Sequence, residues 1–164
     1  MKKTLRLIIT LDCNLKCEYC CNKIPEVNSK FIKKKLEDIA FEQYEDICIS
    51  GGEPLLQYKL IHNIYILNIP ISTPIYLYTN GLLLNSTKAS FFNGVNIGIH
   101  YKEQLKQILE NNPNLLSYKG LRLCVQDIYK DEYLPNIPDK YIKTWSMNDC
   151  FNNVETEDWI LLEK

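Results

Sequence analysis

An α/β fold built on a parallel sheet is what the sequence predicts, and three features carry that expectation. Six short β-branched or apolar runs recur along the 164 residues. Most intervals between them carry apolar residues at helical spacing. The runs are mostly continuous rather than alternating, as in strands covered on both faces. Strands alternating with helices imply right-handed crossovers and parallel neighbours. A chain of 164 residues has room for one domain, and falls short of the roughly 250 residues of a complete eight-stranded α/β barrel. The expectation is a single core domain over residues 1–164, with 148–164 as a C-terminal tail packed on it.

In chain order, the strands are expected over residues 4–10, 46–50, 74–80, 95–101, 121–127 and 141–147, each bounded by polar or turn residues. Ser29 is the expected N-cap of a first helix, with Ile32, Leu36, Ile39 and Ala40 on its buried stripe and Lys33-Lys34-Lys35 mainly on its outer face. Leu56, Leu60, Ile64 and Leu67 mark a second helix, stopped near Pro70. A short third helix follows Asn85 or Ser86 and runs to Phe92. Leu105, Ile108 and Leu109 mark a fourth, ended by the breaker cluster Asn111-Asn112-Pro113-Asn114. The connection over 128–140 holds Pro135 and Pro138 and no more than a turn or two. Thr156 is the expected cap of a terminal helix carrying Trp159, Leu161 and Leu162.

Composition excludes several classes of function. Hydrophobic residues make up 46% and charged residues 24%, far from the disordered regime. The formal charge of -1 supplies no basic field for bulk nucleic-acid binding. No stretch approaches the roughly 20 apolar residues of a membrane span, so no membrane association is expected. Residues 5–11 are too short and interrupted for the apolar core of a signal peptide. The seven cysteines are the compositional outlier. An odd count cannot all pair, and without a secretory leader the economical setting is the reducing cytoplasm, where clustered cysteines point to metal or catalysis.

Cys13, Cys17 and Cys20 stand at C-x3-C-x2-C spacing directly after the first strand, in the kind of loop that carries chemistry in α/β folds. Three thiolates hold three corners of a [4Fe-4S] cube and leave the fourth iron open. A zinc knuckle that adds Cys21 is the plain alternative, but adjacent cysteines rarely ligate one ion well. Gly51-Gly52-Glu53-Pro54 ends the second expected strand, and Thr79-Asn80-Gly81 ends the third. Alone, each of these is an ordinary turn.

Taken together, the cysteine triplet with Tyr19 just before its third member, the Gly-Gly-Glu-Pro segment and the Thr-Asn-Gly turn resemble the radical S-adenosylmethionine (radical SAM) superfamily. The match covers about the first half of the chain. The resemblance implies a partial (β/α)6 TIM-type barrel with parallel strands, open on one side. It further implies that Cys13, Cys17 and Cys20 ligate a [4Fe-4S] cluster whose unique iron chelates SAM. Gly51 and Gly52 would let backbone approach the methionine amino group, and Glu53 would fix that loop or contact SAM. Tyr19 would pack near the adenine, with Asn80 as a further SAM contact. His100, Gln126 and Met147 occupy expected strand ends where the family often contacts ribose or adenine, although no matching motif marks them. Cys48 and Cys124 are expected in the core. Cys21 follows the triplet too closely to add a ligand, and Cys150 lies where a role in substrate handling is conceivable.

The chemistry implied by the resemblance is reductive cleavage of SAM to a 5′-deoxyadenosyl radical that abstracts hydrogen from a peptide, protein or nucleotide-like substrate, fed by a one-electron donor such as flavodoxin or ferredoxin. Residues 10–17 look like the corresponding region of peptide maturases and molybdenum-cofactor synthases. An activase installing a glycyl radical on a partner enzyme is the first alternative, favoured by small size; a non-catalytic iron-sulfur or zinc-binding module is the second. The substrate itself is not legible.

Overall fold

A computed structural model describes residues 3–164, in which the elements follow in the order β1 (Thr4–Ile8), α1 (Pro25–Asn28), β2 (Ile32–Lys34), β3 (Asp46–Ser50), α2 (Tyr58–Asn68), β4 (Ile75–Thr79), α3 (Ser86–Ser90), β5 (Gly94–Ile99), α4 (Gln104–Asn111), β6 (Leu121–Gln126), α5 (Lys130–Tyr133), β7 (Ile142–Trp145), α6 (Met147–Thr156) and β8 (Asp158–Leu162). Short 3-10 turns fill several connections. The chain divides into two compact units, Met1–Ile75 with Met147–Lys164, and Tyr76–Ser146.

In the first unit β1 is the central strand, paired in parallel with β3 on one side and β8 on the other, while β2 pairs in parallel with β8. Leu5, Leu7, Ile47, Ile49 and Ile160 are buried in this sheet, and Ile61 and Ile64 of α2 are buried as well. Each fully buried aliphatic side chain contributes about 1.5–3 kcal/mol. The register sets Ile8 beside Ser50 and Leu161, so the segments that follow β1, β3 and β8 leave the sheet at the same edge. One buried charge is compensated: Arg6 of β1 donates from Nε to Glu157 at 2.7 Å and from its terminal nitrogen at 3.1 Å, with its guanidinium 5.0 Å from the Trp159 ring centroid.

In the second unit β5 pairs in parallel with β4 and β6, and β6 with β7. Leu77, Val95, Ile97, Leu123 and Val125 form its core. Asn85 caps α3 by accepting the Lys88 amide at 2.9 Å. Asn112, fully buried at the end of α4, donates to the carbonyls of Leu84 and Ile108 at 3.0 Å and accepts from the Tyr118 hydroxyl at 2.7 Å. The breaker cluster thus ends its helix through a satisfied polar network.

The six expected strands are present, and two expected helices are corrected. Residues 29–40 hold no helix: Ser29 ends α1, Ile32–Lys34 is β2, and 3-10 turns follow at Leu36–Asp38 and Phe41–Gln43. The helical stripe is not realised, because Ile32 and Ala40 are exposed and only Ile39 is buried. The terminal segment is likewise reversed. Thr156 closes α6 rather than opening a helix, and Trp159, Leu161 and Leu162 lie on β8. Met147 starts α6 and is not a strand residue. On α2 the buried side chains are Ile61 and Ile64, while Leu67 is exposed. β4 and β6 alternate in burial, whereas β1 and β5 are nearly continuous. Among the described residues no helix is long and apolar enough to cross a membrane.

Candidate functional site

The first unit assembles the cysteine loop and the Gly-Gly-Glu loop on one backbone frame. β1 ends at Ile8, and the carbonyls just beyond it are used by the segment after β3: Gly52 N–H donates to Thr10 O and Glu53 N–H to Asp12 O, both at 2.8 Å. These bonds continue the β1–β3 ladder past the strand ends. Contact is so close that a Cβ at Gly51 would lie 2.4 Å from Thr10 O, and one at Gly52 2.2 Å from Asp12 O. Gly51 also has a φ of +153°, which L side chains rarely adopt. The two glycines are therefore required by the packing of the loops themselves.

Glu53 is fully buried. Its Oε1 accepts the Leu55 amide at 3.0 Å, capping the 3-10 turn Pro54–Gln57. In this structure its carboxylate fixes the loop. From the other side, Asn22 Nδ2 donates to Gly51 O at 2.8 Å, and Lys23 Nζ donates to Cys17 O at 3.0 Å.

Cys13 is exposed, Cys17 and Cys20 are half-buried, and none of the three is in a disulfide. Cys13 Sγ accepts the Leu15 amide at 3.4 Å. Burial pushes the Cys17 thiol above its ordinary pKa, and the neighbouring Cys20 and Cys13 push it the same way. That mutual influence is what three sulfurs on one short loop produce. Among the described residues no three His, Cys, Asp or Glu side chains are gathered to hold one metal ion. A [4Fe-4S] cube binds each thiolate to a different iron, so it asks for a wider spacing than one ion does. By donor chemistry and by their shared loop, Cys13, Cys17 and Cys20 fit such a cluster. The Tyr19 ring between them is half exposed.

Cys21 and Cys150 form a disulfide that joins the 3-10 turn Cys21–Lys23 to α6, with Cα atoms 5.9 Å apart across 129 residues of sequence. Cys150 is buried and disulfide-bonded, which leaves its thiol no part in substrate handling. Cys48 is buried as expected, and Cys124 only partly. An open depression of about 610 Å³ lies beside the cysteine loop, lined by Thr10, Leu11 and Asp12 together with Lys33, Leu161 and Glu163 at the ends of β2 and β8.

The second unit holds the remaining expected site residues. Thr79 Oγ1 accepts the Gly81 amide and Asn80 Oδ1 the Leu82 amide, each at 3.1 Å, so the side chains of this turn close the turn itself. Gly81, with φ +80°, has no room for a Cβ against Ile97 and Ile108. Asn80 and His100 are brought together by Gln104 of α4. Its Nε2 donates to Asn80 O and Gly98 O, and its Oε1 accepts the His100 amide, all at 2.7 Å. The His100 imidazole is packed over Gly98, and burial holds its pKa below the usual histidine value although the residue's outer edge is exposed. Gln126 stands half-buried at the end of β6. Gln104 and Asn22 were not among the expected site residues. Gln104 was hidden by its polar character on an amphipathic helix, and Asn22 by the 29 residues separating it from its partner.

Residues 7–119 match the family model described as the radical SAM superfamily. Among curated proteins, the chain is 36% identical over 135 residues to GTP 3',8-cyclase of Alkaliphilus metalliredigens (strain QYMF), covering 65% of this chain and 41% of that protein. It is 38% identical over 86 residues to the probable GTP 3',8-cyclase of Archaeoglobus fulgidus, covering 49% and 28%. A third match, to GTP 3',8-cyclase of Clostridium perfringens (strain SM101 / Type A), is 30% identical over 161 residues and covers 79% and 49%. The chain thus spans about half or less of the length of these relatives. Among solved structures, native anSMEcpe with bound AdoMet and Cp18Cys peptide aligns with a TM-score of 0.51 and 16% identity, over 98% of this chain and 50% of that one. At that identity the likeness concerns the fold: a parallel β-sheet with α-helices, arranged as a partial (β/α) barrel.

Proposed function

The chain belongs to the radical SAM superfamily and carries its catalytic domain, and on that premise we propose that Cys13, Cys17 and Cys20 hold a [4Fe-4S] cluster at which SAM is reductively cleaved. The observation that carries this reading is the shared frame of the two loops: Thr10 O and Asp12 O, just ahead of the first cysteine, bind the amides of Gly52 and Glu53. Motifs 30 or so residues apart in sequence are thereby locked together. When bound, the cluster and SAM supply one-electron cleavage of a carbon–sulfur bond and with it the power to abstract hydrogen, fed by a donor such as flavodoxin or ferredoxin.

The residues divide the work. The three thiols supply the ligands. Gly51 and Gly52 hold the loop backbone close to the cysteine loop, and buried Glu53 keeps that backbone rigid. Tyr19, half exposed beside Cys20, offers a ring face for the adenine. Asn80, His100 and Gln126 are proposed as outer SAM contacts, His100 as a neutral imidazole at pH 7. The hydrogen comes from a peptide, protein or nucleotide-like substrate. The nucleotide-like class has the support of the relatives named GTP 3',8-cyclase.

Metal analysis tests the cofactor assignment. Anaerobic reconstitution is expected to give four irons with sulfide per chain, and a reduced-state EPR spectrum that SAM perturbs. Alanine at Cys13, Cys17 or Cys20 is expected to abolish iron uptake. Zinc at one per chain, with no iron retained, contradicts the reading.

A further inference from the structure

The peptide unit between Gly51 and Gly52 is gripped from both ends. Its N–H donates to Thr10 O at 2.8 Å, and its C=O accepts from Asn22 Nδ2 at 2.8 Å. Gly51 sits at φ +153°, away from the ordinary L-residue wells, so this stretch of backbone is one that outside partners must hold. Thr10 supplies one of them from β1's end. Asn22 supplies the other from the cysteine loop, two residues beyond Cys20.

Asn22 is itself held. Its carbonyl accepts from Asn28 Nδ2 at 3.1 Å, and the residue before it is tied to α6 through the Cys21–Cys150 disulfide. The residue after it donates from its backbone N–H to Cys20 O at 2.9 Å and from Nζ to Cys17 O. A side chain so constrained reaches Gly51 O with little entropy left to lose. The chemistry also selects asparagine. The partner is a carbonyl, so a donor is required; an ionised aspartate of the same shape has none and sets a charge against the acceptor.

We propose that Asn22 is a positioning residue that sets the Gly51–Gly52 peptide, and through it the expected SAM amino-group site, relative to the candidate cluster ligands. The inference rests on the proposed function. To the backbone bonds from Thr10 and Asp12 it adds a contact between the two loops made by one side chain outside both motifs.

The test compares the reconstituted full chain with Asn22→Asp, which keeps the shape and removes the donor, and Asn22→Ala. Iron and sulfide are counted, and SAM affinity is taken from titration of the reduced-cluster EPR signal. Both variants are expected to keep the wild-type iron content and to bind SAM about tenfold or more weakly, the scale of one lost, well-placed hydrogen bond. Aspartate is expected to be at least as poor as alanine. SAM affinity within twofold of wild type in both variants overturns the proposal, as does iron loss that accounts for the whole effect. If alanine fails to fold, the isosteric aspartate variant decides. A wild-type cluster that does not respond to SAM contradicts the proposed function instead. The inference is then decided by hydrogen exchange in the chain as purified. Losing the Asn22 donor is expected to speed exchange of the Gly52 amide about tenfold, and an unchanged rate overturns it.

Discussion

A side chain at Gly52 has nowhere to go, since a Cβ there would lie 2.2 Å from the Asp12 carbonyl oxygen and 2.6 Å from that of Leu11. The motif was legible in sequence through the expected approach of a ligand, and the structure adds a second reason in the seam between two loops. Tyr44 shows residue chemistry with a pH signature. Its hydroxyl donates to Asp158 Oδ2 at 2.7 Å, and burial, reinforced by that carboxylate, pushes its pKa up to about 12. The folded chain holds this proton between pH 10 and 12 while the unfolded chain releases it, so stability must fall as pH rises through that window. Chemical unfolding of the wild type between pH 8 and 12 is expected to show the decline. Tyr44→Phe is expected to flatten it and to cost about 1.5–3 kcal/mol at neutral pH, the worth of a hydrogen bond to a charged group. A variant as steep as the wild type contradicts the assignment. Neither this bond nor that of Asn22 was legible, because side-chain bonds between distant segments leave no periodic trace.

At the scale of elements, β8 completes the sheet of the first unit. Trp159 is buried on it, stacked on Phe31 with centroids 5.4 Å apart, donating to Glu157 at 3.0 Å and lying under the Arg6 guanidinium. Trp159→Ala is expected to destabilise the chain by about 3–5 kcal/mol in urea unfolding. A loss below about 1 kcal/mol would mean that β8 is not a structural strand. The sequence reading made this segment helical for a physical reason. Asp158-Trp159-Ile160-Leu161-Leu162 is a short apolar run, and periodicity alone does not separate a buried strand from a helix end at that length. β2 misled in the same way: three residues, two of them lysines, paired at the sheet's edge against β8. The other six strands were legible because each bears β-branched or aromatic residues between clear turn signals. Helix α3 was legible through its asparagine cap, a local device that sequence displays directly.

At the scale of the molecule, the family was legible in three motifs, and the match over residues 7–119 includes them all. What was not legible is the substrate. The relatives named GTP 3',8-cyclase extend well beyond the part this chain matches, with 41%, 28% and 49% of their lengths covered. Substrate contacts on a shared fold reside in loops and added segments, where residue patterns carry little general signal. The proposed radical SAM chemistry, by contrast, rests on the two loops that this chain locks together, and it has a product of its own. The most direct measurement is mass-spectrometric detection of 5′-deoxyadenosine after the anaerobically reconstituted chain is reduced in the presence of SAM. The account predicts its formation, and its loss on alanine substitution of Cys13, Cys17 or Cys20. A chain that holds four irons and yet yields no 5′-deoxyadenosine would contradict it.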